Sequence, residues 1–274
     1  MTREEDLVPR HLLLHAHMFK NAGSTFDHSL RRSFGDAFTD HRDDDAMRRG
    51  AAYLGPYIEE HPGLRALSSH WVTFPLPALP DVVIHPVMLF RDPLERILSV
   101  YRFERRQEGD APGVTRARRH GFRDYVAWRL EQGVGPVIRN FHTRYCYGDY
   151  HGGDLDAMYL RAINTLDSTG LLGLVHRYEE SMVLFEYLLE PFFGNLDLSG
   201  KAVNASDAVA IDYVEKRERA LSELGPLLAD VKEANRFDLK LHAEVETRFE
   251  RSLADVPDLQ NRLRDFGQRG LVHL

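Results

Sequence analysis

A lysine, a glycine and two hydroxyl residues lie close together near the start of the chain. Lys20 precedes Gly23 by three residues, and Ser24 and Thr25 follow the glycine directly. The apolar run before them predicts a buried strand over about 12–19, and the amphipathic run after them predicts a helix that begins at Ser24 and Thr25. The glycine between the two favours a tight turn. A strand, a turn and a helix N-terminus in this order are typical of an anion-binding site.

The chemistry predicted for this turn is phosphate binding. The first N–H groups of a helix have no partner within the helix, and the macrodipole places about half a positive charge at that end. Lys20 adds a mobile cation, and the two hydroxyls add hydrogen-bond donors. The order differs from the Walker A loop, in which the lysine follows the second glycine. An ordinary helix cap is the alternative for this segment taken alone.

A second basic residue follows another predicted strand. Arg91 comes directly after the apolar run 82–90, and Asp92 and Pro93 are a favourable N-cap and first helical residue. Ser99, eight residues after the arginine, lies two turns into the predicted helix. Arginine can hold a phosphate bidentately at the carboxyl edge of a sheet, and serine can donate to the same group, so this pattern predicts a second phosphate site. The alternative is a capped helix with an ordinary surface ion pair.

Together the two segments resemble the nucleotide-binding motifs of sulfotransferases that use 3′-phosphoadenosine 5′-phosphosulfate (PAPS). The order Lys-x-x-Gly-Ser-Thr is similar to their 5′-phosphosulfate loop, and Arg91 and Ser99 match their 3′-phosphate motif. The chain most resembles the carbohydrate-directed branch, which contains heparan sulfate 2-O- and uronyl 2-O-sulfotransferases and many bacterial relatives. The resemblance spans about 11–250 and implies transfer of a sulfuryl group from PAPS to a hydroxyl, with PAP as product.

The resemblance assigns roles to individual residues of this chain. His70, between the two motifs, would be the general base, and Lys20 would neutralise charge on the oxygen that bridges sulfur and phosphorus. His15 and His17 are competing candidates for the base, and His17 belongs to a His-x-x-Lys motif that would shape the loop. The residues implied to bind PAPS are Lys20, Asn21, Ala22, Gly23, Ser24 and Thr25 at the 5′-phosphate, Arg91 and Ser99 at the 3′-phosphate, and Lys201 and Asn204 in a loop over the nucleotide.

Three further segments resemble the same branch. Segment 140–144, Asn-Phe-His-Thr-Arg, is similar to one that faces the acceptor. His176 stands where an acidic residue is usual, which leaves its role open. Segment 235–241 matches a late helix start and predicts a structural role.

The resemblance also implies whether the protein needs a metal and which acceptor it uses, and the acceptor and the function each have an alternative. No divalent metal is required, and neither an H-E-x-x-H motif nor a carboxylate cluster is evident in the sequence. The predicted acceptor is a hydroxyl of a carbohydrate, either a polysaccharide or a glycolipid. A small-molecule or polyketide-type alcohol is the alternative acceptor. A P-loop kinase and a non-catalytic PAP-binding module are the alternative functions.

Composition limits the class of protein. The chain has 274 residues, 43% hydrophobic and 28% charged, which suits one α/β domain with a helical C-terminal region over about 207–274. Cys146 is the single cysteine, which excludes an internal disulfide and fits a reducing compartment. The charged N-terminus and short apolar runs predict a cytoplasmic protein without an integral membrane segment. The sequence gives no indication of the oligomeric state.

Charge is distributed unevenly along the chain. The net charge is −7, yet segment 91–144 carries 12 arginines against 7 acidic residues, a local +5. A basic middle in an acidic chain predicts an anionic ligand rather than nucleic acid.

The fold class predicted is α/β, with a P-loop-like parallel sheet flanked by helices and a helical C-terminal region. Besides the strand at 12–19, strands are predicted at 64–69, 82–90 and 170–175. Pro86 is unfavourable inside the strand at 82–90, because proline cannot donate a backbone hydrogen bond. Helices are predicted at 45–60, 93–106, 122–131, 155–166, 181–193, 207–223, 226–234 and 236–253. Segments 36–45 and 108–115 are predicted as polar connections, 140–147 is ambiguous, and the residues after 253 are predicted as a polar tail.

Overall fold

Five parallel strands form the centre of the protein in the computed structural model, which describes residues 9–148, 153–200 and 213–272. The strands are β1 (Arg10–Ala16), β2 (Phe38–His41), β3 (Ala66–Ser69), β4 (Val82–Phe90) and β5 (Leu171–Leu174). Their order in the sheet is β2-β3-β1-β4-β5, and every pairing is parallel. The predicted α/β class with a parallel sheet is therefore confirmed.

Helices connect and flank these strands. They are α1 (Gly23–Phe34), α2 (Asp44–Met47), α3 (Ala51–Glu60), α4 (Pro93–Arg106), α5 (Pro112–Arg119), α6 (Phe122–Leu130), α7 (Phe141–Tyr147), α8 (Leu155–Asp167), α9 (Tyr178–Phe193), α10 (Tyr213–Leu224), α11 (Leu228–Ala234), α12 (Arg236–Ala254) and α13 (Leu259–Val272). The C-terminal region is helical throughout its described part, as predicted. No helix within the described ranges combines the length and the apolar character needed to cross a membrane.

The central strand β1 is paired along both of its edges, and its side chains from Leu12 to Ala16 are buried. It pairs with β3 on one side, Leu14 opposite Leu67, and with β4 on the other, Leu14 opposite Pro86. Continuous apolar runs are typical of parallel strands that helices cover on both faces. The ends of β3, β1 and β4 therefore lie side by side at the carboxyl edge, where α/β proteins bind ligands.

Pro86 does not interrupt β4. The strand is continuous from Val82 to Phe90, and the part that pairs with β5 begins only at Val87. The proline therefore precedes the stretch in which β4 needs partners on both sides.

Two hydrophobic clusters hold the helices in place. The larger one joins the strands to α1, α3, α8, α9 and α12. A smaller one lies between α4, α5, α6, α10 and α11. The smaller cluster buries apolar side chains of α4, the helix that follows Arg91.

Four predictions for local structure were wrong. Segment 36–45 contains strand β2, whose four residues are too few for a clear alternating pattern. The single helix predicted at 45–60 is two helices, because α2 ends at Met47 and Gly50, with φ of 65°, is the N-cap of α3. The predicted loop 108–115 contains the start of α5, where Pro112 is the first helical residue. The predicted polar tail contains α13.

Candidate functional site at the carboxyl edge

Three predicted site residues follow three adjacent strands. Lys20 comes after β1, His70 comes directly after β3, and Arg91 comes directly after β4. Because β1 lies between β3 and β4, the sheet brings these residues to one edge. Lys201 and Asn204, which were predicted to cover the nucleotide, lie outside the described residues.

The turn between β1 and α1 has an unusual backbone. Lys20 and Ala22 have positive φ values of 66° and 61°, in the left-handed region that non-glycine residues seldom adopt. The strand ends at Ala16 rather than at about 19, and the helix begins at Gly23 rather than at Ser24. Ala22 is the N-cap and has no side-chain oxygen, so the first N–H groups of α1 are not capped by it. This geometry suits an anion at the helix N-terminus.

Gly23 is required by a close contact and not by its backbone angles. A Cβ atom at this position would lie 2.2 Å from Cδ2 and 2.3 Å from Nε2 of His17. The imidazole of His17 therefore packs directly beneath the start of α1. The predicted tight turn is present, but the positive φ angles belong to Lys20 and Ala22, and the close approach of His17 is an additional reason for glycine at position 23.

We expect Gly23→Ala to lower the free energy of unfolding by about 1–3 kcal/mol, because the added methyl group must displace the buried His17 ring. Gly63→Ala is the matched control, since a Cβ atom there meets no atom within 4 Å. Urea denaturation of both variants measures the difference. Equal effects of the two substitutions would contradict the close contact.

His17 belongs to a buried hydrogen-bonded triad. The Nδ1 atoms of His15 and His17 each lie 2.7 Å from a different carboxylate oxygen of Asp27. All three side chains are buried, and the two imidazoles hold the pKa of Asp27 well below its usual range even though burial opposes this shift. The triad is satisfied internally by these hydrogen bonds, although two imidazoles and a carboxylate are also ligands that transition metals accept.

His70 is held as a neutral imidazole with one nitrogen available. Its Nδ1 lies 3.0 Å from the backbone carbonyl oxygen of His17, so Nδ1 donates the hydrogen bond and Nε2 keeps its lone pair. Burial, followed by the charge of His17, lowers the pKa of His70 below its ordinary value. The rings of His17 and His70 have centroids 4.3 Å apart. This is the protonation state that a general base needs.

Positive charges accumulate around Lys20. The pKa of Lys20 is lowered to about 8, first by burial and then by the charges of Arg91, Arg106 and Arg96. Every charge that shifts it is positive, so an anion bound here would relieve the repulsion. Nζ of Lys20 lies 4.6 Å from the centroid of the Phe103 ring, which holds it against α4.

Arg91 has the properties expected of a ligand-binding arginine. Its nearest carboxylate, on Glu95, is 4.0 Å away, at the limit for an ion pair. Its Nε is buried and donates to no residue within the described ranges. Asp92 caps α4 as predicted, with Oδ1 accepting from the N–H groups of Leu94 and Glu95 at 3.0 and 2.9 Å. Ser99 is half-buried on the same helix.

Asn21 anchors the turn instead of reaching outward. Its side-chain amide donates to the carbonyl oxygen of Leu89 at 2.7 Å and to Nε2 of His142 at 2.9 Å. The predicted contribution of Asn21 to PAPS is therefore restricted to its backbone. Ser24 is exposed at the mouth of the turn, and Thr25 is buried in the first turn of α1.

Segment 140–144 joins helices instead of forming an open surface. The side-chain oxygen of Asn140 accepts from the N–H groups of Phe237 and Asp238. In return, the carboxylate of Asp238 accepts from the N–H groups of His142 and Thr143. These contacts join α7 to α12, so Asn140, His142 and Thr143 have a structural role, whereas Phe141 lies in the wall of a cavity that also contains His70. His176, the other open position, is half-buried with its ring centroid 6.2 Å from that of His242.

Two adjoining cavities lie beside α6 and α7, and the smaller one reaches this edge. One of about 410 Å³ contains His70 and Phe19 in its wall. A larger one of about 930 Å³ is lined by residues of α6, α11 and the segment between α6 and α7, and Lys20, His70 and Arg91 are not in its wall. Gly135 and Pro136 line both cavities. The smaller cavity is therefore the one that adjoins the predicted base.

No protein-family model matches this chain. The chain is 28% identical over 252 residues to an uncharacterized protein of the archaeon Archaeoglobus fulgidus, a match that covers 86% of this chain and 96% of that protein. The match shows that a protein of similar length exists in an archaeon, and the name of that protein carries no activity.

Sequence reasoning missed two site residues, Asp27 and Asp44. Asp27 lies four residues after Gly23 and three before the buried Leu30, so it belongs to the inward stripe of α1. An acidic residue on the apolar face of a predicted helix is seldom buried without a partner, so the sequence does contain a signal for Asp27. Asp44 falls in the segment 36–45 that was predicted as a polar connection, but it lines the smaller cavity.

Proposed function

We propose that the protein transfers the sulfuryl group of PAPS to a hydroxyl of an acceptor. The observation that carries this proposal is the joint position of Lys20, Arg91 and His70 at the ends of three adjacent strands. Two cationic groups and a helix N-terminus suit a ligand with separate phosphates. A neutral imidazole beside them suits removal of a proton from a hydroxyl.

The donor would lie across the ends of β1 and β4. Its 5′-phosphosulfate would accept from the first N–H groups of α1 and from Lys20, while Arg91 and Ser99 would hold the 3′-phosphate. The excess of positive charge around Lys20 supports a ligand with several negative charges. In this arrangement a nucleotide without a 3′-phosphate loses the contacts of Arg91.

In the reaction, the acceptor oxygen would form a bond to sulfur while the bond between sulfur and the 5′-phosphate oxygen breaks. The bonding electron pair leaves with PAP, and Lys20 offsets the negative charge that develops on the leaving oxygen. Nε2 of His70 takes the acceptor proton, and the carbonyl oxygen of His17 stabilises the imidazolium that forms. Positioning and charge compensation supply most of the acceleration in transfers of this loose type.

Calorimetric titration with PAP and with ADP, each with and without Mg²⁺, tests the donor. We expect PAP to bind without metal and at least about tenfold more tightly than ADP, because a 3′-phosphate adds charge-assisted hydrogen bonds. Mg²⁺-dependent binding of ADP with indifference to PAP would contradict the proposal and favour a P-loop kinase.

The same titration with Arg91→Ala identifies the group that Arg91 holds. We expect PAP to weaken about 10- to 100-fold and adenosine 5′-phosphosulfate to weaken less than about threefold. Arg102→Ala is the matched control, because Arg102 is an exposed arginine of α4, the helix that follows Arg91. Equal losses for both nucleotides would remove Arg91 from the 3′-phosphate.

A further inference from the structure

The cavity beside His70 has an aromatic wall. Phe19, Trp71, Phe141 and Tyr145 line it, and its volume is about 410 Å³. This volume lies at the lower end of the range for small-molecule pockets, about 300–1,000 Å³. Aromatic side chains favour a flat, apolar partner that stacks on them. The cavity is therefore suited to one compact molecule.

The cavity wall contains few polar side chains, and they differ in whether they already have hydrogen-bond partners. Arg129 is already engaged, since it donates to the Glu104 carboxylate at 2.5 and 2.7 Å and to the Tyr125 hydroxyl oxygen at 2.9 Å. Asp44 is different, because its Oδ1 is buried and accepts no hydrogen bond from the residues that the structure describes. A buried carboxylate oxygen without a donor is costly, and a ligand that donates to it would remove this cost.

These features exclude two kinds of acceptor from the cavity. A sugar carries several hydroxyls, and an aromatic wall with one accepting carboxylate and one imidazole leaves most of them without partners. An acceptor with its own carboxylate would place a negative charge against Asp44, and the arginine of the wall, Arg129, is already paired with the Glu104 carboxylate. A ligand with a flat apolar body, a reactive hydroxyl for His70 and a second hydrogen-bond donor for Asp44 satisfies both of these side chains.

Resting on the proposed sulfuryl transfer, we propose that the acceptor is a compact phenol that carries a second hydrogen-bond donor and no negative charge. Its ring stacks between the aromatic side chains, its phenolic O–H donates to Nε2 of His70, and its second donor binds Oδ1 of Asp44. On transfer, the phenolic oxygen forms the bond to sulfur, its proton goes to Nε2 of His70, and the electron pair of the broken sulfur–oxygen bond leaves with PAP. This acceptor class differs from the carbohydrate predicted from the sequence.

Four probes of similar size or chemistry test the acceptor class by calorimetry. Tyramine has the phenol and an ammonium donor, 4-ethylphenol has the phenol alone, 3-(4-hydroxyphenyl)propionate has a carboxylate in place of the donor, and methyl glucuronide is a sugar acid. Each is titrated into the full chain with and without saturating PAP. We expect tyramine to bind at least about tenfold more tightly than 4-ethylphenol, and the two carboxylates to bind more weakly than both.

Asp44→Asn and Asp45→Asn separate the role of Asp44 from general surface charge. Asp45 is the adjacent residue, and its side chain is 91% exposed. We expect Asp44→Asn to reduce the preference for tyramine over 4-ethylphenol to less than about threefold, and Asp45→Asn to retain it. A preference that survives Asp44→Asn, or binding of the glucuronide without binding of tyramine, would overturn the proposal. The titrations without PAP do not depend on the donor. Absence of PAP binding would therefore contradict the proposed sulfuryl transfer, whereas the preference among the four probes tests the acceptor class separately.

Discussion

Replacement of His70 by alanine is expected to lower turnover about 10²- to 10⁴-fold and to leave the affinity for PAP within about twofold. The reason is that the imidazole is held with Nδ1 donating to the His17 carbonyl oxygen, so only Nε2 is available for the acceptor proton. The side chain lies in the wall of the aromatic cavity and does not belong to the Lys20 turn. Steady-state rates and calorimetric PAP titration of the same preparation measure the two quantities.

His28→Ala is the control, because His28 is an exposed histidine on α1 near the same turn. It is expected to retain both turnover and PAP affinity. If His70→Ala keeps turnover, the base is another group, and His17 is next because its ring lies 4.3 Å from that of His70, centroid to centroid. If it loses PAP affinity in proportion to turnover, His70 has a structural role in the donor site.

The pH dependence of kcat/KM provides a second readout of His70. A general base works in its neutral form, and burial lowers the pKa of His70 below the ordinary 6.5. Activity should therefore be retained between pH 7 and 6.5 and fall as the pH decreases through the lowered value. An acidic limb above pH 7 would assign the limiting proton to another group.

The fold could be predicted from the sequence wherever burial leaves a long apolar run. Strand β4 and the helix after it were predicted with the correct bounds, because Asp92 and Pro93 are strong local signals. Strand β2 could not be found in this way. It has four residues, of which only Phe38 and His41 are buried, and it is defined by its pairing with β3. Such pairing is a tertiary property that local composition does not carry.

The candidate site was predictable in part, for a similar reason. The turn after β1 and the arginine after β4 are local motifs, and the parallel sheet brings them together. The support beneath them depends on contacts that are distant in the chain. Asn21 is anchored by His142, which is 121 residues away, and no pattern in the sequence predicts that these two residues are in contact. Likewise, the orphaned oxygen of Asp44 becomes meaningful only when the aromatic wall of the cavity is known.

Replacement of Asp27 by asparagine is expected to lower the free energy of unfolding by about 3 kcal/mol. The carboxylate accepts hydrogen bonds from the Nδ1 atoms of both His15 and His17, each at 2.7 Å, and the three side chains are buried. An asparagine offers one accepting oxygen, so its amide group would face the N–H of the other histidine. Because His17 packs against Gly23 and its carbonyl oxygen holds His70, some loss of turnover should accompany the loss of stability.

The pH dependence of the free energy of unfolding shows whether Asp27 stabilises the protein through its negative charge or only through its packing. The pKa of this carboxyl group is far below the ordinary 3.8 in the folded protein, so its contribution is present above about pH 4 and is lost as the pH falls below that value. The stability difference between the wild type and Asp27→Asn should therefore shrink in acid, as measured by urea denaturation from pH 7 to pH 3. Asp36→Asn, at an exposed position just after α1, should show little difference at any pH. The contrary outcome is a wild type that carries stoichiometric metal and an Asp27→Asn variant that loses both the metal and stability. It would show that an ion, and not hydrogen bonds, holds the triad.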